Sequence, residues 1–344
     1  MGLNRSRAVA VWAFVLCAAA SRANADEGGV SFWIPGEFGS LAAAPLVPGW
    51  SLGIINLYED QRASGAVAAA REITIGNLNP NVKVNLNLNL SGKADLVLVS
   101  PSYVFATPVL GGQLTVSMAG AVGRPSADIN GALTLSVGPL TVTGQGEISD
   151  SRWVASDLYP LTSLRWNNGV NSWMVYTTGD VPIGTYDSRH LANGGIGHGA
   201  ADGGAGYTYF DTMTGHEFSV VTGLTYNFVN PGTNYQNGIN WHVDWGASQF
   251  LTKTWQVGTV GYFYQQLTAD KGCAPILCPF KSRVAGIGPQ MGFIFPAGEM
   301  QGYLNLKGYR DFDAQNRAPG WSAWVTLAFS PKPPEAPTPS GRPR

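Results

Sequence analysis

Residues 217–255 read EFSVVTGLTYNFVNPGTNYQNGINWHVDWGASQFLTKTW. In the first half Phe218, Val220, Leu224, Tyr226 and Phe228 share one parity, and Ser219, Gly223, Thr225 and Asn227 take the other. In the second half Ile239, Trp241, Val243 and Trp245 alternate with Asn240, His242, Asp244 and Gly246. A period of two is that of a β-strand, whose successive side chains point to opposite faces. The turn-rich break between the halves makes the stretch a pair of neighbouring strands. A soluble sandwich would hide the tryptophan face and wet the polar one. A membrane barrel turns the aromatic face to lipid and the polar, even ionisable face to its lumen.

Composition selects between these. Arg5 and Arg7 precede an apolar run from Ala8 to Ala20 and then Ala23-Asn24-Ala25, the pattern of a secretory signal cleaved after Ala25. The run is shorter than the roughly 20 residues of a spanning helix, and Leu16 before Cys17 does not fit lipoprotein processing. Removing Arg5, Arg7 and Arg22 leaves 18 basic residues against 22 acidic ones, a net charge of −4. This balance gives no basic block for nucleic acid and no acidic tract for disorder. Charged residues make up 12%, about half the usual soluble share, while aromatics reach 11% and glycines number 44. No later segment is long and apolar enough for a spanning helix. An exported, charge-poor, strand-patterned chain points to the outer membrane of a Gram-negative bacterium, because a closed barrel is the other architecture that satisfies every backbone group in lipid. The expected fold is therefore all-β, a transmembrane antiparallel β-barrel.

Along the chain, residues 26–49 are Gly- and Pro-rich with Phe32, Trp33 and Phe38, and read as a periplasmic arm or a small plug. The barrel is expected over 50–330. Its strand candidates are 50–58, 82–106, 112–123, 131–137, 140–148, 158–166, 172–179, 204–211, the opening pair, 254–267, 284–295, 301–312 and 321–329. A turn at Ser91-Gly92-Lys93 would instead divide the second of these in two. The count is about 14, with 12 or 16 as alternatives. With the N-terminus periplasmic, the long connections near 60–81, 181–203 and 268–282 fall outside, and the short ones at 138–139, 252–253 and 297–299 fall inside, the asymmetry of bacterial barrels. Residues 331–344, six of them proline, read as a disordered tail. Cys273 and Cys278, close together in an oxidising compartment, are expected to form a local disulfide.

Asp180-Val181-Pro182-Ile183-Gly184-Thr185-Tyr186-Asp187, Tyr235-Gln236-Asn237-Gly238, Gly288-Pro289 and Asn316-Arg317 with Gly320 resemble the ordered landmarks of the outer-membrane proteins named for the meta-pathway of phenol degradation. The resemblance covers roughly 29–330. It implies an outer-membrane barrel and transporter, linked by name to aromatic or other hydrophobic compounds. The Pro-rich tail departs from barrels that end on an aromatic residue, a role Phe329 takes internally.

Strand parity nominates lumen-facing residues: Asn240, His242 and Asp244 on one strand, Asn305, Lys307 and Tyr309 on another, and Gln145 and Glu147, with Thr141 and Thr143, on a third. They would either set the polarity of a solute path or form a structural hydrogen-bond network across the lumen. His190 and His198 with Asp187 and Asp202 match no ligand spacing, so no metal is expected. Trp241, Trp245, Trp321 and Trp324 read as interfacial anchors or wall. Catalysis is not expected: no G-x-S-x-G elbow accompanies His242, the one histidine on a clear strand. An outer-membrane lipid hydrolase and an adhesive or structural protein remain the rival classes. The expected function is passive uptake of small hydrophobic or aromatic compounds, with no cofactor. The expected partners are outer-membrane lipid, the solute and the barrel-assembly machinery.

Overall fold

The computed structural model describes residues 31–64, 83–137, 140–272 and 281–333. Residues 1–25, expected to be a signal, Cys273, Cys278 and the tail beyond 333 lie outside the described residues. Fourteen strands follow in order: β1 (Gly49–Ser64), β2 (Lys83–Val104), β3 (Gln113–Gly123), β4 (Ser126–Val137), β5 (Leu140–Ser151), β6 (Val154–Asn168), β7 (Asn171–Asp180), β8 (Ala200–Phe210), β9 (His216–Asn227), β10 (Asn240–Phe250), β11 (Trp255–Gln266), β12 (Arg283–Ala297), β13 (Met300–Gln315) and β14 (Gly320–Pro331). All pairings between them are antiparallel. β1 pairs with both β14 and β2, which closes the sheet.

The closed ring holds twelve strands. β2 pairs with β3 from Leu96 to Val104, where β1 covers its other side, and with β4 from Lys83 to Lys93. β3 and β6 pair in the ring, whereas β5 pairs with β4 alone. Thus β3 runs on into β4 across Arg124-Pro125, β5 runs on into β6, and β4 and β5 form a hairpin standing off the end of the barrel. A tilted strand needs only about 9–11 residues to cross the hydrocarbon, so one half of the 22-residue β2 suffices and the other half carries this projection. The 82–106 region is one strand, with two partners.

The connections 105–112, 169–170, 211–215, 251–254 and 298–299 lie at the ring end that also holds Gly49 and Pro331, while 181–199, 228–239, the described flanks 267–272 and 281–282, and the shorter 316–319 lie at the other. Short turns mark the periplasmic end and long loops the outer end. The expectation that 138–139 lies inside is corrected by register. Val137 pairs with Leu140 at the hairpin's far tip, beyond the outer end of the ring.

Alternation explains the wall. Along β9 every second residue from Glu217 to Asn227 is buried, and Phe218, Leu224 and Tyr226 are exposed. β10 buries Asn240, His242, Asp244 and Ser248 and turns Trp241 outward. Exposed Trp173, Ile287, Met291 and Phe312 continue the outward apolar surface, which water would penalise and lipid accepts. Trp324 is a correction. It lies three residues from exposed Trp321, hence on the opposite face, and is 2% exposed against Leu57, Val260 and Tyr309 inside the ring.

Candidate functional site

Residues 31–48 thread the lumen. The contacts descend in order from the outer to the periplasmic end. Arg317 Nη1 reaches Ser31 Oγ at 3.5 Å. Trp33 stacks on the His242 imidazole, ring centroids 3.6 Å apart and 14° from parallel. The Gly36 and Phe38 N–H groups donate to the two Asp244 carboxylate oxygens at 3.0 and 3.2 Å. Lys307 Nζ donates to the Gly36 and Glu37 carbonyls at 2.7 and 3.3 Å. Lower down, Leu41 N–H donates to Glu217 at 2.8 Å, Ala43 N–H to Thr208 Oγ1 at 3.0 Å and Leu46 N–H to Gln113 at 2.9 Å.

The chemistry of this clamp follows from the segment. A loop inside a barrel has no sheet to satisfy its backbone, so wall side chains must do so. Asp244 and Lys307 are opposite charges that answer N–H and C=O groups of one turn. Gly36 makes the turn possible: its φ is +90°, and a Cβ there would stand 2.8 Å from the Tyr309 ring. Burying this much charge is tolerable only because the charges are hydrogen-bonded and near one another.

The residues nominated from parity divide accordingly. His242 and Asp244 hold the plug directly, and Lys307 and Tyr309, whose hydroxyl lies 3.3 Å from the Gly36 carbonyl, do so from the facing wall. Asn305 is buried and donates to the Met291 carbonyl and Tyr303 hydroxyl, both at 3.1 Å. Asn240 is buried near the outer end of β10. Gln145 and Glu147 are corrected: they are exposed on β5, outside the ring. Parity tells the two faces of a sheet apart but not whether that sheet closes. The loop residues scatter. His190 pairs with Asp150 at 3.0 Å, Asp187 with Arg189 at 2.7 Å, and Asp202 with His242 at 2.9 Å.

That last pair was not legible in sequence. Asp202 on β8 bonds His242 Nε2 and the Thr225 hydroxyl, fixing the imidazole plane on which Trp33 rests. Trp33 itself, 1% exposed, drew notice only as an aromatic in a Gly-rich arm.

The clamp lies against β8–β10 and β13, leaving space on the opposite side. A cavity of about 240 Å3 lies there in the outer half of the lumen. One wall is the plug at Phe32 to Pro35. The other comprises Leu57 of β1, Leu96 and Leu98 of β2, Ala121 of β3 and Tyr159 of β6, and the 181–199 loop roofs it from Tyr186 to Ile196. Asp157 pins that roof, accepting the Gly184 N–H at 2.7 Å and the Ile196 N–H at 2.9 Å. Gly195 lets the loop approach, since a Cβ there would lie 2.5 Å from the Asp157 carboxylate. From the projection, Arg152 holds the roof by the Ala192 carbonyl at 2.7 Å and Asn193 at 2.6 Å.

Among solved structures the fold is similar to an outer membrane channel from Pseudomonas putida F1, at 12% identity and a TM-score of 0.56, over 87% of this chain and 99% of that one. A FadL homologue of Pseudomonas aeruginosa aligns at 10% identity and a TM-score of 0.39, over 84% and 90% of the two chains. No curated protein matches the sequence. The family described as "Putative MetA-pathway of phenol degradation" matches residues 74–327, which take in every strand of the ring but β1 and the last residues of β14, and the chain belongs to that family.

Proposed function

We propose that the protein carries small hydrophobic or aromatic solutes passively across the outer membrane by way of the cavity beside the plug. The observation that carries this is the cavity itself: largely apolar walls, a polar clamp confined to the far side of the plug, and a volume of about 240 Å3. An apolar cavity of about 150 Å3 suffices to bind benzene, so this one suits a single substituted ring. The family's phenol-degradation description agrees in substrate chemistry. A water-filled porin would need an open lumen, which the plug occupies. Asn240, His242, Asp244, Asn305, Lys307 and Tyr309 then serve mainly to seat the plug, and no cofactor or catalytic step is required.

The reading includes export by residues 1–25 with cleavage after Ala25, and insertion by the barrel-assembly machinery. Asp26 at the N-terminus of protein from the envelope is the expected sequencing result. Uptake is tested by deleting the gene and following entry of labelled ethylbenzene and 4-ethylphenol into intact cells. Slower entry, restored by the gene, supports it. Entry of both as fast as in the parent overturns it, and adhesion of the two strains to surfaces then tests the structural alternative that the projecting hairpin suggests.

A further inference from the structure

Asp180, the last residue of β7, lines the cavity and is 7% exposed. Neither of its carboxyl oxygens accepts a hydrogen bond from a protein donor among the described residues. Its carboxyl neighbour is Asp157, whose oxygens accept the Gly184 and Ile196 N–H groups of the roof; a proton shared between the two acids engages one Asp180 oxygen and leaves the other without a donor. Of the other ionisable side chains on the cavity wall, Arg317 lies over the Tyr264 ring at 4.9 Å, His190 pairs with Asp150, and Glu59 and Lys93 belong to β1 and β2. A buried acceptor left without a donor is costly. In a cavity walled for the most part by apolar side chains, such an acceptor can orient a solute.

We propose that Asp180 is the polar anchor of the cavity, accepting the hydroxyl or amino hydrogen of a compact aromatic solute whose ring occupies the apolar part between Phe32, Trp33, Leu96 and Leu98. This rests on the uptake reading and adds a substrate class. Single-ring compounds with a hydrogen-bond donor are preferred over plain hydrocarbons of the same shape, and anionic aromatics are repelled by the Asp157–Asp180 pair.

The test is calorimetric titration of the full-length, detergent-solubilised protein with 4-ethylphenol, ethylbenzene and 4-ethylbenzoate. A hydrogen bond to a buried acid pair that carries one negative charge corresponds to roughly tenfold or more in affinity. The wild-type protein should therefore bind 4-ethylphenol at least about tenfold more tightly than ethylbenzene, with 4-ethylbenzoate weakest. Asp180→Leu should bring the first two within about twofold while leaving ethylbenzene binding unchanged. Should that variant lose its heat-modifiable gel mobility, Asp180→Ala is read instead: it removes the acceptor without adding bulk and should close the gap in the same way. Equal binding of 4-ethylphenol and ethylbenzene by the wild-type protein, or a gap that survives the substitution, overturns the anchor and leaves uptake standing. Binding of none of the three overturns the cavity as a solute site, and the uptake reading with it.

Discussion

Asp244 is the residue on which the seating of the plug turns. Its two oxygens take two N–H groups of one turn, and hydrogen bonds to a charged acceptor contribute about 1.5–3 kcal/mol each. Asp244→Ala should therefore loosen the plug without unfolding the ring. Single-channel conductance in planar bilayers should rise several-fold, and protease should cut near Phe38 in protein whose gel mobility still shifts on boiling. Conductance equal to wild type would remove Asp244 from the clamp. Trp241, outward on the same strand, should act oppositely: Trp241→Ala lowers the folded yield in membranes and leaves conductance unchanged. At the outer surface, Asp150 ties the projection to the roof by accepting the Leu191 and Ala192 N–H groups and pairing with His190. Partial burial works to raise its carboxyl pKa, but the Ala192 N–H and the His190 ring outweigh this and hold it below the ordinary value. A carboxyl depressed in the folded state contributes stability above its unfolded pKa, near 4, and loses that contribution as pH falls through the lower folded value. Hydrogen exchange at Leu191 and Ala192 should thus be as well protected from the Asp150 tie at pH 5 as at pH 7. It should lose this protection below about pH 4, and Asp150→Ala should lose it throughout. Legibility at this scale was uneven. His242, Asp244 and Lys307 announced themselves as polar residues in apolar strands, whereas Asp202 and Trp33 did not, because their importance lies in the partner each meets across the fold.

Among the elements, the β4–β5 hairpin is separable from the ring. Gly123 and Val154 face each other across β3 and β6, so replacing 124–153 by a two-residue Asn-Gly turn gives a standard hairpin closure. The shortened protein should still form a heat-modifiable barrel. Its 181–199 loop should become more sensitive to protease, because Asp150 and Arg152 are lost. Failure to form the barrel would mean that the ring depends on its projection. The strands of this hairpin were evident from alternation, but their removal from the wall was not. A period of two continues unchanged whether a strand meets lipid, lumen or water, and only the pairing of β2 with β3 below and β4 above shows where the wall ends. Cys273 and Cys278 belong at this scale too, as a proposed bridge within the 267–282 loop. Protein from the envelope should carry no free thiol by mass analysis.

Taken whole, the molecule is a ring closed around residues 31–48, and the uptake reading makes this plug its principal barrier. Deleting residues 31–46 behind the intact signal should give a barrel with much larger conductance and little discrimination among small solutes, measured in planar bilayers. Conductance equal to wild type would mean that some other element closes the lumen. The sequence by itself determined the membrane environment, the strand class, a total of about fourteen strands and the inward set on β10 and β13, because these follow from composition and from a two-residue period that any strand carries locally. The tertiary structure alone decided that twelve strands close, that Gln145 and Glu147 stand outside, and that 31–48 is a plug. Each of these depends on contacts between residues remote in sequence, such as the hydrogen bond from Gly36 to Asp244 across 208 positions, and no local pattern of side chains encodes which distant backbone group a buried carboxylate will satisfy.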